Sequence, residues 1–176
     1  MALSYRCAAT CLSAVLLVGC VAAPRVSPAP PTSAPFPVAA FFTGESHGDG
    51  TLRVITRSPV RVEVDSVGTA APDGTLTLVQ RVRESDKAER TRSWTLREDT
   101  PGRWSGTLTD ADGPVSATAT PGTLDIAFPM DGMQVRQHLV LSENGQSARN
   151  ILRVSKFGVT VAVLDETITR GPRARR

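Results

Sequence analysis

The 176-residue chain is poor in cysteine, histidine, lysine and aromatic side chains, and each shortage removes a class of protein. Its three cysteines, Cys7, Cys11 and Cys20, all stand near the N-terminus. A cut before Cys20 leaves no pair, hence no disulfide framework and no thiolate metal site. Aromatics make up 5% of the residues, and His47 and His138 are the only histidines. Neither belongs to a GxSxG or HExxH pattern, so the familiar hydrolase and zinc-protease signatures are absent. Past the N-terminal segment no run of ~20 apolar residues occurs, which excludes a multi-pass helical membrane protein. At 40% hydrophobic and 21% charged, the chain is neither collagen, coiled coil nor wholly disordered.

Basic charge is scarce where it would matter. Arg6, Arg25, Arg170, Arg173, Arg175 and Arg176 lie at the ends. Setting them aside leaves 14 of the 20 cations against all 17 acids between Val38 and Thr169, a formal −3. A nucleic-acid-binding body would concentrate cations to displace counterions. This one does not, and no nucleic-acid partner is expected.

What is present begins with a targeting pattern. Arg6 supplies a positive start and Ala8 to Val18 an apolar core, followed by Leu17-Val18-Gly19-Cys20. That ending resembles the bacterial lipobox, whose precursors are diacylated on the cysteine and cut just before it. The resemblance implies a signal peptide over 1–19, a lipid anchor at Cys20 and attachment to the cell envelope facing the periplasm. Val21 follows the cysteine, and the lack of aspartate there favours the outer membrane. Several acyl chains hold a protein far more firmly than one.

Residues 20–37 read as the lipidated end and a Pro/Ala-rich tether. Val21 to Pro37 carries six of the thirteen prolines and favours extended polyproline II. At about 3.1 Å per residue it could reach on the order of 50 Å. At the other end, residues 170–176 read as a frayed basic tail suited to anionic headgroups.

Between them, residues 38–169 form one domain of short strands. After a helical turn at Val38–Phe42, apolar residues alternate with period two from Gly48 onward. Val60, Val62 and Val64 share one parity; Leu76, Leu78 and Val82 share the next. Trp94 and Leu96, Trp104 and Leu108, Val115 and Ala117, and Leu124, Ile126 and Phe128 continue it. Val135, Leu139 and Leu141, then Ala148, Leu152 and Val154, then Phe157, Val159, Val161 and Val163 complete the series. Turn signals such as Ala71-Pro72-Asp73-Gly74, Asp131-Gly132 and Glu143-Asn144-Gly145 cut it at short intervals. The pattern predicts an all-β antiparallel barrel of about eight to ten strands, since a closed meander removes exposed edges. The Cys…Trp…Cys arrangement of an immunoglobulin sandwich is missing.

The opening Phe41-Phe42-Thr43-Gly44 with Gly48-Asp49-Gly50 makes an FFxGxxxGxG pattern. Gly74-Thr75-Leu76-Thr77-Leu78, Arg92-Ser93-Trp94-Thr95-Leu96, Arg103-Trp104-Ser105-Gly106 and Lys156-Phe157-Gly158-Val159 follow in order. Together they resemble the bacterial lipoproteins grouped as domain of unknown function 3833, over about Ala39 to Ile168. The resemblance implies a small lipocalin-like barrel and no assigned activity. The Asp-Asp-Trp-Met stretch usual in that family is replaced near Gln137-His138-Leu139-Val140.

Candidate site residues follow from inward parity. Gln80, Gln137 and Asn150 share the face of the apolar residues, which suits either a partly open interior or amides at wet barrel ends. Trp94 and Trp104 either line a cavity or plug one end. Small Gly106, Ala117 and Ala119 leave room, so the ligand expected is a small apolar or amphipathic, lipid-like molecule, for instance a twelve-carbon chain with its polar head on the amides. The alternative is a solid-cored structural or interaction module. His47 and His138 read as exposed surface residues, and the pair Asp110 and Asp112 as turn residues beside Gly113-Pro114. Gly44, Gly48 and Gly50 read as a tight strand entry rather than a phosphate cradle. The reading is of a binding protein, not an enzyme, with no cofactor or metal.

Overall fold

In the computed structural model, ten antiparallel strands close on themselves in sequence order, each paired with its chain neighbours and the first with the last. The structure describes residues 21–25, 27–29 and 34–172; the signal segment, Cys20 and residues 173–176 lie outside them. The strands are β1 (Gly44–Val54), β2 (Arg57–Ala70), β3 (Leu76–Glu84), β4 (Arg90–Thr100) and β5 (Arg103–Leu108). They continue as β6 (Val115–Thr120), β7 (Thr123–Met130), β8 (Met133–Leu141), β9 (Ser147–Lys156) and β10 (Val159–Arg170). One helix among the described residues, α1 (Val38–Phe42), precedes them. The barrel read from the alternation is therefore the fold, and closure leaves no strand edge unpaired.

Most of the expected parities hold. Val62 and Val64, Leu76 and Leu78, Trp94 and Leu96, and Leu124, Ile126 and Phe128 all point inward and are buried. Three readings need correction. Strand β1 starts at Gly44 rather than Gly48, because Glu45 and Ser46 already pair with Val67 and Ser66 of β2. Phe36, assigned to the tether, is a core residue 2% exposed. In the last hairpin Phe157 takes the turn at φ 50° and is 94% exposed. A register shift between Thr160 and Ala162 then moves the inward set to Ala162, Leu164, Glu166 and Ile168. A bulge adds one residue and reverses every side chain beyond it, which period-two counting does not see.

Helix α1 stoppers one mouth of the barrel. Phe36, Phe41 and Phe42 pack edge-to-face and stacked, with centroids 5.0 to 6.4 Å apart. They join Leu76, Leu96, Trp104, Ala117 and Leu124 in the main apolar cluster. A smaller cluster of Val62, Val64, Val82 and Leu164 fills the barrel toward its other end. Each large side chain so buried contributes about 1.5–3 kcal/mol.

The tether is not a free spacer where it is described. Phe36 donates its amide to Thr120 O at 3.0 Å, Gly122 N donates to Ala34 O at 3.2 Å, and Pro35 bridges Pro121. Further back, Arg149 Nη1 donates to Arg25 O at 3.3 Å, and Ser27 and Pro28 lie beside Val140 on the barrel's outer face.

Candidate functional site

Between the two apolar clusters lies a layer of polar side chains, all projecting into the barrel. Gln80 comes from β3, Arg92 and Trp94 from β4, Gln137 from β8, Asn150 from β9 and Glu166 from β10; Ser46 and Ser66 come from β1 and β2. They surround a cavity of about 40 Å³ whose apolar walls include Phe42, Leu78, Leu96 and Leu139. At ~10–15 Å³ per water-sized site, that space takes about three waters, or a carboxyl-sized group with one or two carbons. The twelve-carbon chain expected from small inward residues does not fit the interior as it stands. Its would-be space beside Ala117 is filled by Trp104 and the phenylalanines of the main cluster.

One half of the layer is satisfied. Gln80 Oε1 accepts from Trp94 Nε1 at 2.7 Å and from Arg92 Nε at 2.8 Å, while its Nε2 donates to Ser66 Oγ at 3.1 Å. Both lone pairs of that oxygen are used, so the amide is oriented. The Arg92 guanidinium also lies 5.6 Å from the centroid of the Trp94 ring, a cation–π contact.

The other half is not. Asn150 Nδ2 donates to both Gln137 Oε1 and Glu166 Oε2, each at 3.0 Å. That leaves Gln137 Nε2, Asn150 Oδ1 and Ser46 Oγ buried without a protein partner. Leaving such groups unmatched costs about 1–3 kcal/mol each.

Charge follows the same division. Glu166 is 6% exposed, and burial pushes its carboxyl above the ordinary glutamate range against the opposing pull of Asn150 and Arg92. Burial likewise lowers Arg92, with Arg90 adding repulsion. The two charges feel one another, yet no ion pair joins them among the described residues.

Glycine makes room for Glu166. A Cβ on Gly48 would run into the Glu166 carboxylate, and one on Gly50 into the backbone and Cβ of residues 165 and 166. The two glycines read as a tight strand entry thus also serve the site, by letting a carboxylate lie across β1.

Of the residues singled out from the sequence, Gln80, Gln137, Asn150 and Trp94 meet at the cavity. Trp104 sits in the main apolar cluster outside that lining. Arg92, Glu166, Ser46 and Ser66 were missed. Glu166 escaped because the bulge in β10 conceals its inward parity, and Arg92 because an arginine beside exposed positions reads as surface. His47 and His138 point outward but are only partly exposed. His138 Nδ1 lies 2.8 Å from Asp125 Oδ1, and His47 Nδ1 is buried without a partner. Asp110 accepts from Arg90, and Asp112 from the amide of Gly132, as turn residues should. No group of three or more metal-ligating side chains occurs among the described residues.

A closed ten-stranded antiparallel barrel with a helical stopper and a small polar-lined interior is a lipocalin-like fold. The chain belongs to the family described as "Protein of unknown function (DUF3833)", whose model matches residues 14–170. Among solved structures it is similar to Rv2717c from M. tuberculosis, with 15% identity and a TM-score of 0.60, covering 77% of this chain and 96% of that one. It is also similar to the S-type phycobiliprotein lyase CPES from Guillardia theta, with 10% identity and a TM-score of 0.57, covering 78% and 94%. A DUF3598-family protein of unknown function from Nostoc punctiforme matches with 14% identity and a TM-score of 0.53, covering 79% and 51%. These likenesses show a shared fold. No curated protein matches the sequence.

Proposed function

We propose that the protein is an envelope-anchored binding protein whose barrel takes up the polar end of a small amphipathic molecule. The observation that carries this is the set of unpartnered buried atoms, Gln137 Nε2, Asn150 Oδ1 and Ser46 Oγ, around a cavity that Arg92 and Glu166 also line. A solid structural core would replace such groups with apolar ones at little cost. Anchoring at Cys20 would hold this barrel at a membrane surface.

Size limits the affinity. Three to four heavy atoms in the cavity, at no more than about 1.5 kcal/mol each, give a Kd of tens of micromolar at best. A longer ligand gains more only by moving Phe42 or Leu78 aside.

A guest held this weakly washes out during purification, so binding is read by titration of the purified protein. Titration with short amphiphiles is expected to shift tryptophan emission in Trp104→Phe, where Trp94 reports alone, and not in Trp94→Phe. No shift in either variant would favour the alternative, a structural module, which the dense packing of the two apolar clusters suits.

A further inference from the structure

The polar layer carries more information than the presence of a cavity. Arg92, Gln137 and Ser46 line one space and offer it donors, with Gln137 Nε2 and the Ser46 hydroxyl unpartnered, while Asn150 Oδ1 is the unpartnered acceptor beside them. Gln80, held by Trp94 and Ser66, fixes Arg92 by accepting from its Nε, which leaves the terminal guanidinium nitrogens for a guest. A planar guanidinium meets an acid group through two parallel hydrogen bonds. Across the cavity Glu166 is the one carboxylate of the lining, and Asn150 already donates to its Oε2.

We propose that the cavity is a receptor for a small carboxylate, bound by Arg92 and Gln137 while Glu166 takes up a proton. This rests on the binding reading above and names the chemistry of its ligand. The charges dictate the proton. An anion entering while Glu166 is ionised would put two carboxylates in one poorly solvated space, where like charges raise each other's proton affinity. One proton from solvent on Glu166 removes that repulsion and leaves a single Arg92–carboxylate pair. The only bond made is the O–H of the Glu166 carboxyl, its proton supplied by solvent.

The charged groups acting on this site are few. Arg92 from β4 and Asp49 from β1 act on Glu166; Arg90 and Asp110 act on Arg92. Asp49 raises the carboxyl and Arg92 opposes it, so neutralising Arg92 with a guest anion raises Glu166 further. Proton and anion therefore bind cooperatively. An ammonium guest would meet Asn150 Oδ1 and Glu166 but would also face the Arg92 guanidinium and leave Gln137 Nε2 unmatched.

The test compares isosteric probes on the full chain. Acetate, propionate and butyrate, with propionamide and propylamine as controls, are titrated by calorimetry in two buffers of different ionisation enthalpy. Propionate is expected to bind at least tenfold more tightly than propionamide. It should take up a proton in the window between the titration of Glu166 in the free protein and its higher titration in the complex, with affinity rising as pH falls through that window. Glu166→Gln, which keeps the neutral form, should bind propionate without proton uptake and with a flat pH profile. Arg92→Gln should lose the preference for acid over amide, and Arg92→Lys should retain part of it. Equal binding of propionamide or propylamine by the unmodified chain overturns acid recognition and leaves the binding reading standing. Failure of every probe, together with no tryptophan shift on titration with short amphiphiles, overturns both.

Discussion

Gly68 shows how closely this barrel is packed at the level of single residues. A Cβ there would overlap the carbonyl oxygen of Phe42, a backbone atom of the helical stopper that has nowhere to go. Gly68→Ala is expected to lower stability by about 1–3 kcal/mol, read as a lower urea midpoint at unchanged m. Gly48→Ala makes the informative comparison. Its Cβ meets only the end of the Glu166 side chain, which can swing away. The loss of stability should be smaller, and the pH dependence of ligand binding should change because the carboxylate is displaced. Nothing in the glycine pattern distinguishes these two positions. They differ in what stands opposite them, a main-chain carbonyl or a flexible side chain, and that is set by the closed sheet.

At the level of elements, α1 is the part least able to stand alone. Five residues make barely one turn, Pro37 at its N-cap supplies no side-chain hydrogen bond, and isolated helices of this length are unstable in water. Packing holds it. Phe41, 2% exposed and in edge contact with Phe36 and Phe42, is expected to cost about 3–5 kcal/mol when replaced by Ala. Thermal unfolding followed by circular dichroism measures this, and opening of the mouth should appear alongside as increased exposure of Trp104. In the sequence the Phe-Phe pair figures only as the opening of the FFxGxxxGxG pattern, not as a core element. The role of Phe36 was hidden, since it stands among prolines that read as a linker. The last strand was hidden in the same way: the bulge near Ala162 exchanges inward and outward positions, placing Glu166 inside and Phe157 in the open turn.

At the scale of the whole molecule, the proposed function assigns location to the N-terminal pattern and recognition to the barrel. Cys20→Ser is expected to abolish acylation, leaving an unprocessed precursor detected by a missing lipid mass and failure to label with a fatty-acid analogue. Normal maturation of that variant would remove the anchor from the proposed function. The described parts of the tether lie on the barrel through Arg25, Ala34 and Phe36 rather than standing off it.

Alternation and turn chemistry were sufficient to specify an antiparallel barrel with a helical turn before it, because each strand buries one face and each Gly- or Asp-bearing turn reverses the chain locally. Gln80, Gln137, Asn150 and Trp94 could be named for the same reason: parity is a property of a single strand. What sequence could not determine was which of these inward residues share one level of the barrel. That depends on the register between strands, on one bulge in β10 and on how far the stopper enters. Those non-local terms bring Arg92 and Glu166 to opposite sides of one cavity, move Trp104 away from it, and shrink the interior from a lipid-sized space to one that takes a single small polar group.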